Sequence, residues 1–272
     1  MEHKQHESDG LPAKRSLGQN FLISPRIIEA IIKAGDLKEK DVVLEVGPGK
    51  GVLTRALMYM GGIVKAVEKD NRLVPYLTQE FKKEISEGKL EIFHRDVLDI
   101  KDEEIETIVG KNYKVIANIP YYITGALIRN LLSSTCRPSM MVIMVQKEVA
   151  RRILAKDTKE SILSISVKVF ATPELVMNVS RGNFFPIPNV DSAVLKLSNI
   201  HNPFKNKEEE ARFFEFVKAG FAQKRKKLIS NLEAVETKEV LEAKFKRLNL
   251  NTNARAEEIP LPLWMELVRN SE

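Results

Sequence analysis

The chain has one cysteine, Cys136, only four histidines and one tryptophan in 272 residues. A single thiol excludes a disulfide framework and thiolate metal clusters, and it fits a reducing, cytoplasmic compartment. His94 and His201 stand alone rather than paired at ligand spacing, and His3 and His6 fall in a polar leader, so no metal site is expected. There is no apolar run of the roughly 20 residues needed to cross a bilayer, and no signal-peptide core, so no membrane partner is expected. Internal repeats and low-complexity segments are also missing. Residues 1–15 are polar and mixed in charge, with Glu2, Glu7 and Asp9 arguing against a mitochondrial presequence, and they read as a flexible leader.

What is present begins with a hydrophobic content of 43%, enough at this length for one large domain and a small one. Residues 41–46 read as a buried parallel strand that runs into Gly47-Pro48-Gly49-Lys50-Gly51 and then a helical pattern (Val52, Leu53, Ala56, Leu57, Met60). A second strand over 63–67 ends in Glu68, about 20 residues past the first glycine, where a carboxylate can reach ribose hydroxyls. The G-x-G-x-G spacing is neither a dinucleotide fingerprint, since position 52 is Val, nor a phosphate-binding P-loop. It suits S-adenosylmethionine, which carries a cationic sulfonium. Acids at Glu45, Glu68 and Asp96 would attract that cation and repel a pyrophosphate. A glycine turn used only for tight strand-helix packing is the alternative.

A third strand over 90–94 delivers Asp96 to the crevice where open parallel sheets bind ligands; there it can accept from the cofactor's adenine amine, or simply cap the next helix. A fourth strand over 114–117 ends in Asn118-Ile119-Pro120-Tyr121. This tetrapeptide offers an amide oxygen, a carbonyl on a rigid turn and an aromatic face, the set needed to grip a nucleobase amine. Read alone, it could equally be an ordinary strand exit with Asn and Pro as turn residues.

Taken with Ser16-Leu17-Gly18-Gln19-Asn20-Phe21-Leu22, Val145-Gln146-Lys147-Glu148-Val149-Ala150 and the run from Phe184-Phe185-Pro186-Ile187-Pro188 to Asn189-Val190-Asp191-Ser192, these blocks resemble the KsgA family of rRNA adenine N6,N6-dimethyltransferases over nearly the whole chain. The Erm methyltransferases and mitochondrial transcription factor B are relatives of that family. The resemblance implies an α/β fold, a Rossmann-like class I S-adenosylmethionine methyltransferase sheet over 16–200 with a small all-helical C-terminal RNA-binding domain over 201–272. It implies that Asn20, Leu22, Gly47, Glu68, Asp96 and Asn118 contact the cofactor, beside Glu45 and Gly49 of the same motif. It further implies that Asn118, Pro120 and Tyr121 hold the target adenine while Phe184 stacks on its other face, leaving Phe185 to the core; core packing is the alternative for Phe184. The implied reaction is dimethylation of two adjacent adenosines in a hairpin loop near the 3′ end of small-subunit rRNA, within the pre-small ribosomal subunit, by a monomer.

The net charge is +6 and the pI near 9.2, which favours a polyanionic partner. Lys224, Arg225, Lys226 and Lys227 fall in a stretch that reads as helical, with Phe214, Val217, Phe221, Leu228 and Leu232 on one face. They are candidate phosphate contacts, against the alternative of a solvated helix face. Arg151-Arg152 is a weaker candidate of the same kind. Three other functions stay open: an Erm-type enzyme acting on large-subunit rRNA, a non-catalytic assembly or transcription factor on the same fold, and a small-molecule methyltransferase.

Overall fold

The computed structural model describes residues 11–155 and 159–269. In chain order the elements are β1 (Phe21–Leu22), α1 (Pro25–Gly35), β2 (Val42–Val46), α2 (Val52–Tyr59), β3 (Ile63–Glu68), α3 (Leu73–Glu80), α4 (Lys82–Ser86) and β4 (Leu90–His94). They continue with α5 (Asp102–Val109), β5 (Tyr113–Asn118), α6 (Thr124–Ser133), β6 (Met140–Gln146), α7 (Lys147–Leu154), α8 (Ile162–Lys168), β7 (Thr172–Val179), β8 (Phe184–Phe185) and β9 (Ser192–Ser198). Four helices follow: α9 (Lys207–Gly220), α10 (Leu228–Leu232), α11 (Lys238–Arg247) and α12 (Leu261–Val268).

Seven strands form one sheet in the order β4-β3-β2-β5-β6-β9-β7. The first five run parallel and β9 runs antiparallel to β6. Strands covered on both faces must be apolar along their whole length rather than alternating, and Val115 to Ala117 and Met141 to Val145 are all fully buried. The strand order reverses at β2, which lies between β3 and β5, so the crevice for a ligand opens at the C-terminal end of β2. There Gly51 starts α2 at φ +78, and a Cβ on it would lie 2.3 Å from the ring of fully buried Phe81. Both the backbone angle and the close approach require glycine.

The chain divides into two compact units, one made of residues up to Ala150 with Glu174–Ile200, the other of Arg151–Pro173 with residues from His201 onward. The continuous methyltransferase domain expected over 16–200 is therefore interrupted. The cause is aromatic packing within the second unit: the Phe170 ring lies 5.8 Å from Phe204 and 6.0 Å from Phe214. The expected leader also needs correction at its end. Residues 1–10 lie outside the described residues, but the Pro12 carbonyl accepts from Arg72 at 3.3 Å, which ties the chain down before residue 15.

A second correction concerns the basic run. Helix α9 stops at Gly220 and residues 221–227 form turns, so Lys224 to Lys227 sit on an exposed connection and not on a helix face. Gly220 is pressed against Trp264, where a Cβ would come within 2.4 Å of the indole. The Asn231 amide then donates to the carbonyls of Gly220 at 2.6 Å and Gln223 at 3.1 Å, taking the acceptors that a continuing helix would have used.

One core position carries a charge problem. Glu45 on β2 is 1% exposed and its Oε2 has no hydrogen-bond partner among the described residues. Desolvation pushes its carboxyl up to about 8, opposed by the neighbouring Thr54 hydroxyl and reinforced by the Glu68 charge. An unfolded chain ionises this group near 4.5, so between pH 4.5 and about 8 it sheds a proton that the folded chain keeps. The contribution to stability is thus whole below 4.5 and is lost as pH rises to about 8. Replacing Glu45 by Gln should remove that decline. Urea midpoints of the ligand-free proteins should agree at acid pH and separate in the variant's favour toward pH 8; curves that stay parallel would refute the assignment.

Candidate active site

The registers of the parallel strands bring the sequence-predicted residues to one rim. Val46 pairs with Val67 and Leu44 with Val115, so one step and three steps further on, Gly47 stands level with both Glu68 and Asn118. Glu68 in turn pairs with His94, two residues before Asp96. A crevice of about 1000 Å³, counting its solvent-open mouth, lies over this row, and Asn20, Leu22, Glu45, Gly47, Gly49, Glu68, Asp96, Asn118, Pro120 and Tyr121 all line it. Phe184 does not.

Glycine geometry shapes the floor. Gly47 and Gly49 both adopt positive φ, +67 and +60, which turns their backbone away from the strand. A Cβ on Gly49 would lie 3.0 Å from the Phe21 ring, so this turn is narrow enough to be read only by backbone atoms. The Gly49 N–H donates to Glu68 Oε2 at 3.3 Å, and the Asp70 N–H donates to Glu68 Oε1 at 2.8 Å. Burial raises the Glu68 carboxyl despite these donors. Glu68 is therefore held in one orientation at the edge of the crevice that it lines.

Asp96 has two partners. Its Oδ1 accepts from the Leu98 N–H at 3.0 Å, capping the short turn at Val97–Asp99, and its Oδ2 accepts from Lys69 Nζ at 2.6 Å. Burial pushes this carboxyl up, but Lys69 and the Leu98 N–H outweigh that and keep it below the usual carboxylate range. The capping role and a crevice-facing role are thus compatible, because each oxygen keeps a lone pair.

Asn118 ends β5 half-buried. Its Nδ2 donates to the Asn20 carbonyl at 3.2 Å. Since a carbonyl can face only the NH2 end of an amide, the orientation is fixed by chemistry, and Oδ1 is left without a donor among the described residues. The Asn20 side chain donates to the Gly18 carbonyl at 3.0 Å, stiffening the segment that aims it. Pro120 offers its carbonyl close by; that oxygen already accepts from the Ile123 N–H at 3.2 Å and retains its second lone pair. The Tyr121 hydroxyl shares a 2.6 Å hydrogen bond with Ser192 of β9, which pins the ring, and burial raises its pKa.

The two phenylalanines at 184 and 185 are placed opposite to expectation. Phe184 is 1% exposed and belongs to the core with Leu22, Val179 and Val194, whereas Phe185 is 39% exposed. In the short antiparallel pair of β1 and β8, Leu22 is opposite Phe184 and Phe21 opposite Phe185. Neighbours on a strand point to opposite faces, so once Leu22 is buried Phe184 is buried with it.

Several crevice contacts carried no sequence signal of their own. Tyr122 is 59% exposed on the rim beside Gly18. Gln19 Nε2 donates to Asp70 Oδ2 at 2.8 Å, a contact across 51 positions that neither residue announces. Ser192 owes its place at the site to the hydrogen bond it shares with Tyr121, a partner 71 positions away.

A family model described as ribosomal RNA adenine dimethylase matches residues 10–271. A Dehalococcoides mccartyi protein named ribosomal RNA small subunit methyltransferase A is 40% identical over 262 residues, covering 94% of this chain and 88% of the relative. A Geobacillus protein of the same name is 42% identical over 231 residues, covering 83% and 78%. Among solved structures, a dimethyladenosine transferase from Plasmodium falciparum superposes with a TM-score of 0.76 at 27% identity over 91% of this chain and 95% of that one. The 23S rRNA methyltransferase ErmE, at TM-score 0.74 and 24% identity over 92% and 98% of the two chains, shares the fold. With a match that spans almost its full length and relatives about 40% identical over most of their own chains, this chain belongs to the ribosomal RNA adenine dimethylase family.

Proposed function

We propose that this chain uses S-adenosylmethionine to dimethylate the N6 amines of adjacent adenosines in small-subunit ribosomal RNA. The relatives' shared name supports the small-subunit target. The observation that carries the chemistry is Asn118, whose amide is held by the Asn20 carbonyl so that its oxygen stays available on the rim. S-adenosylmethionine supplies, when bound, a methyl group on positively charged sulfur. The residues fit such a cation: Glu45 brings a buried carboxyl oxygen with no partner among the described residues, and Glu68 a second buried acid, to one crevice, where an arriving cation would favour their ionised forms.

The adenine must first leave its stack, at a cost of a few kcal/mol. Tyr121, fixed by Ser192, gives it an aromatic face worth about 1 to 3 kcal/mol. Stacking by Phe184 would need that ring to leave the core, so Tyr121 is assigned the base. An adenine amine is a poor nucleophile because its lone pair is delocalised into the ring. Asn118 Oδ1 and the Pro120 carbonyl would each accept one of its hydrogens and favour a pyramidal nitrogen, freeing the lone pair for in-line attack. Accepting the methyl group that S-adenosylmethionine would supply would leave the nitrogen cationic, and it would then lose a proton to solvent. A second round needs only one remaining hydrogen, which either acceptor can hold.

The basic connection at Lys224 to Lys227 would then supply sequence-independent phosphate contacts. All four are exposed, as that role requires.

Nucleoside mass spectrometry of rRNA from cells with and without the gene should show dimethyladenosine lost from the small subunit; loss confined to the large subunit would replace the target. Purified Asn118→Ala should bind RNA within about twofold of wild type while transfer falls roughly 10²- to 10³-fold, and equal turnover would remove Asn118 from the mechanism. Changing Lys224, Arg225, Lys226 and Lys227 to Gln should lower the slope of log Kd for RNA against log salt by about two to three. An unchanged slope would return the run to simple surface charge.

A further inference from the structure

We infer that Asp70 is a positioning residue that latches residues 12–22 over the crevice and so sets how tightly the cofactor is held. The inference rests on the crevice being the S-adenosylmethionine site proposed above. Asp70 is not among the crevice-lining residues, so any effect must pass through its neighbours. Its side chain has 0% exposure and is saturated with donors. Oδ2 accepts from Gln19 Nε2 at 2.8 Å and from the Arg72 guanidinium at 2.6 Å; Oδ1 accepts from Arg72 Nε at 3.0 Å and the Arg72 backbone N–H at 3.1 Å.

Both donors reach back into the N-terminal segment. Gln19 Oε1 accepts from the Lys14 N–H at 2.7 Å, and Arg72 also donates to the Pro12 carbonyl at 3.3 Å. On its other side the Asp70 N–H fixes Glu68. One residue, through its carboxylate on one side and its backbone N–H on the other, thus joins the segment that roofs the crevice to the acid on its floor. The roof itself is Phe21, which lies against Gly49 with Lys50 Nζ 5.7 Å from its ring centre.

Gln19 isolates this function from local structure. Asp70 also shapes the turn into α3, since its carboxylate binds the Arg72 backbone, and changing Asp70 alone would disturb both. Removing the Gln19 amide leaves the Asp70–Arg72 pair in place and cuts the tie from Asp70 to the segment together with the Lys14 contact inside it. The segment would still be attached through Asn20 to Asn118 and through the β1–β8 pair, so the fold should survive. What changes is the freedom of the roof.

With the full-length protein and S-adenosylmethionine alone, equilibrium dialysis should give a Kd raised roughly tenfold in Gln19→Ala and in Asp70→Asn, the size of one charge-assisted hydrogen bond. The double variant should be no weaker than Asp70→Asn, because the two residues act through one contact. Turnover on RNA at saturating cofactor should stay within about twofold, placing the effect in KM and not in kcat. Trypsin cleavage after Lys14 should quicken in the same variants without any ligand. If Asp70→Asn does not fold, Gln19→Glu sets carboxylate against carboxylate and must weaken binding at least as much as Gln19→Ala. A wild-type Kd and cleavage rate in Gln19→Ala, additive effects in the double variant, or a fall in kcat alone would each overturn the latch. Absence of cofactor binding by the wild type would instead overturn the proposed function, while the cleavage rates would still judge the latch.

Discussion

Parallel strands that end level with one another constrain everything else in the catalytic unit. Because β3, β2 and β5 are hydrogen-bonded in fixed register, Glu68, Gly47 and Asn118 form a single row, and a shift of one residue in any of them would turn its side chains to the opposite face of the sheet. The row puts a buried acid, a glycine turn and an amide side by side on the crevice without any of them having to be carried on a long loop. Precision then comes from the sheet. The segment that closes over the row, residues 12–22, is held by side-chain contacts and by the short β1–β8 pair.

Much of this was legible in the sequence because each part has a local cause. Continuous apolar runs mark strands that are covered on both faces, and the four strands expected over 41–46, 63–67, 90–94 and 114–117 each lie within a residue or two of those bounds, whereas β1, β6, β7 and β8 had no expected counterpart. The three glycines at 47, 49 and 51 declare a backbone that must turn through positive φ, and all three do so. Acids at strand ends, and an amide before a proline, are visible as residue types before any contact is known.

What escaped the sequence depends on contacts between distant positions. A basic run that continues an amphipathic pattern looks helical, but Gly220 against Trp264 and the Asn231 amide on the helix end break it, and neither partner is near in sequence. The faces of Phe184 and Phe185 are decided by pairing with Leu22 and Phe21, more than 160 positions upstream, so no local rule could choose between them. The same holds for the excursion at 151–173, which joins the second unit because Phe170 finds Phe204 and Phe214. Asp70 is invisible for a related reason: two residues after Glu68, it reads as another surface charge, and only its contact with Gln19, 51 positions upstream, sets it apart.

The acids of the row also explain why closure and binding belong together. A buried carboxylate without a partner costs folding free energy, and Glu45 meets that cost by keeping its proton near neutrality. A cation arriving beside it would favour the ionised form and bring the missing interaction, so binding relieves a penalty already built into the free protein. By linkage, whatever binds only the folded form stabilises it in proportion to the logarithm of its concentration over Kd. Water in the open crevice can solvate the acids and weaken that attraction, whereas a roof that excludes water strengthens it, because charges interact more strongly in a lower dielectric. The segment from 12 to 22 and the acids of the sheet thus act on the same free energy: the roof raises the worth of the charges, and the charges reward the roof for staying closed.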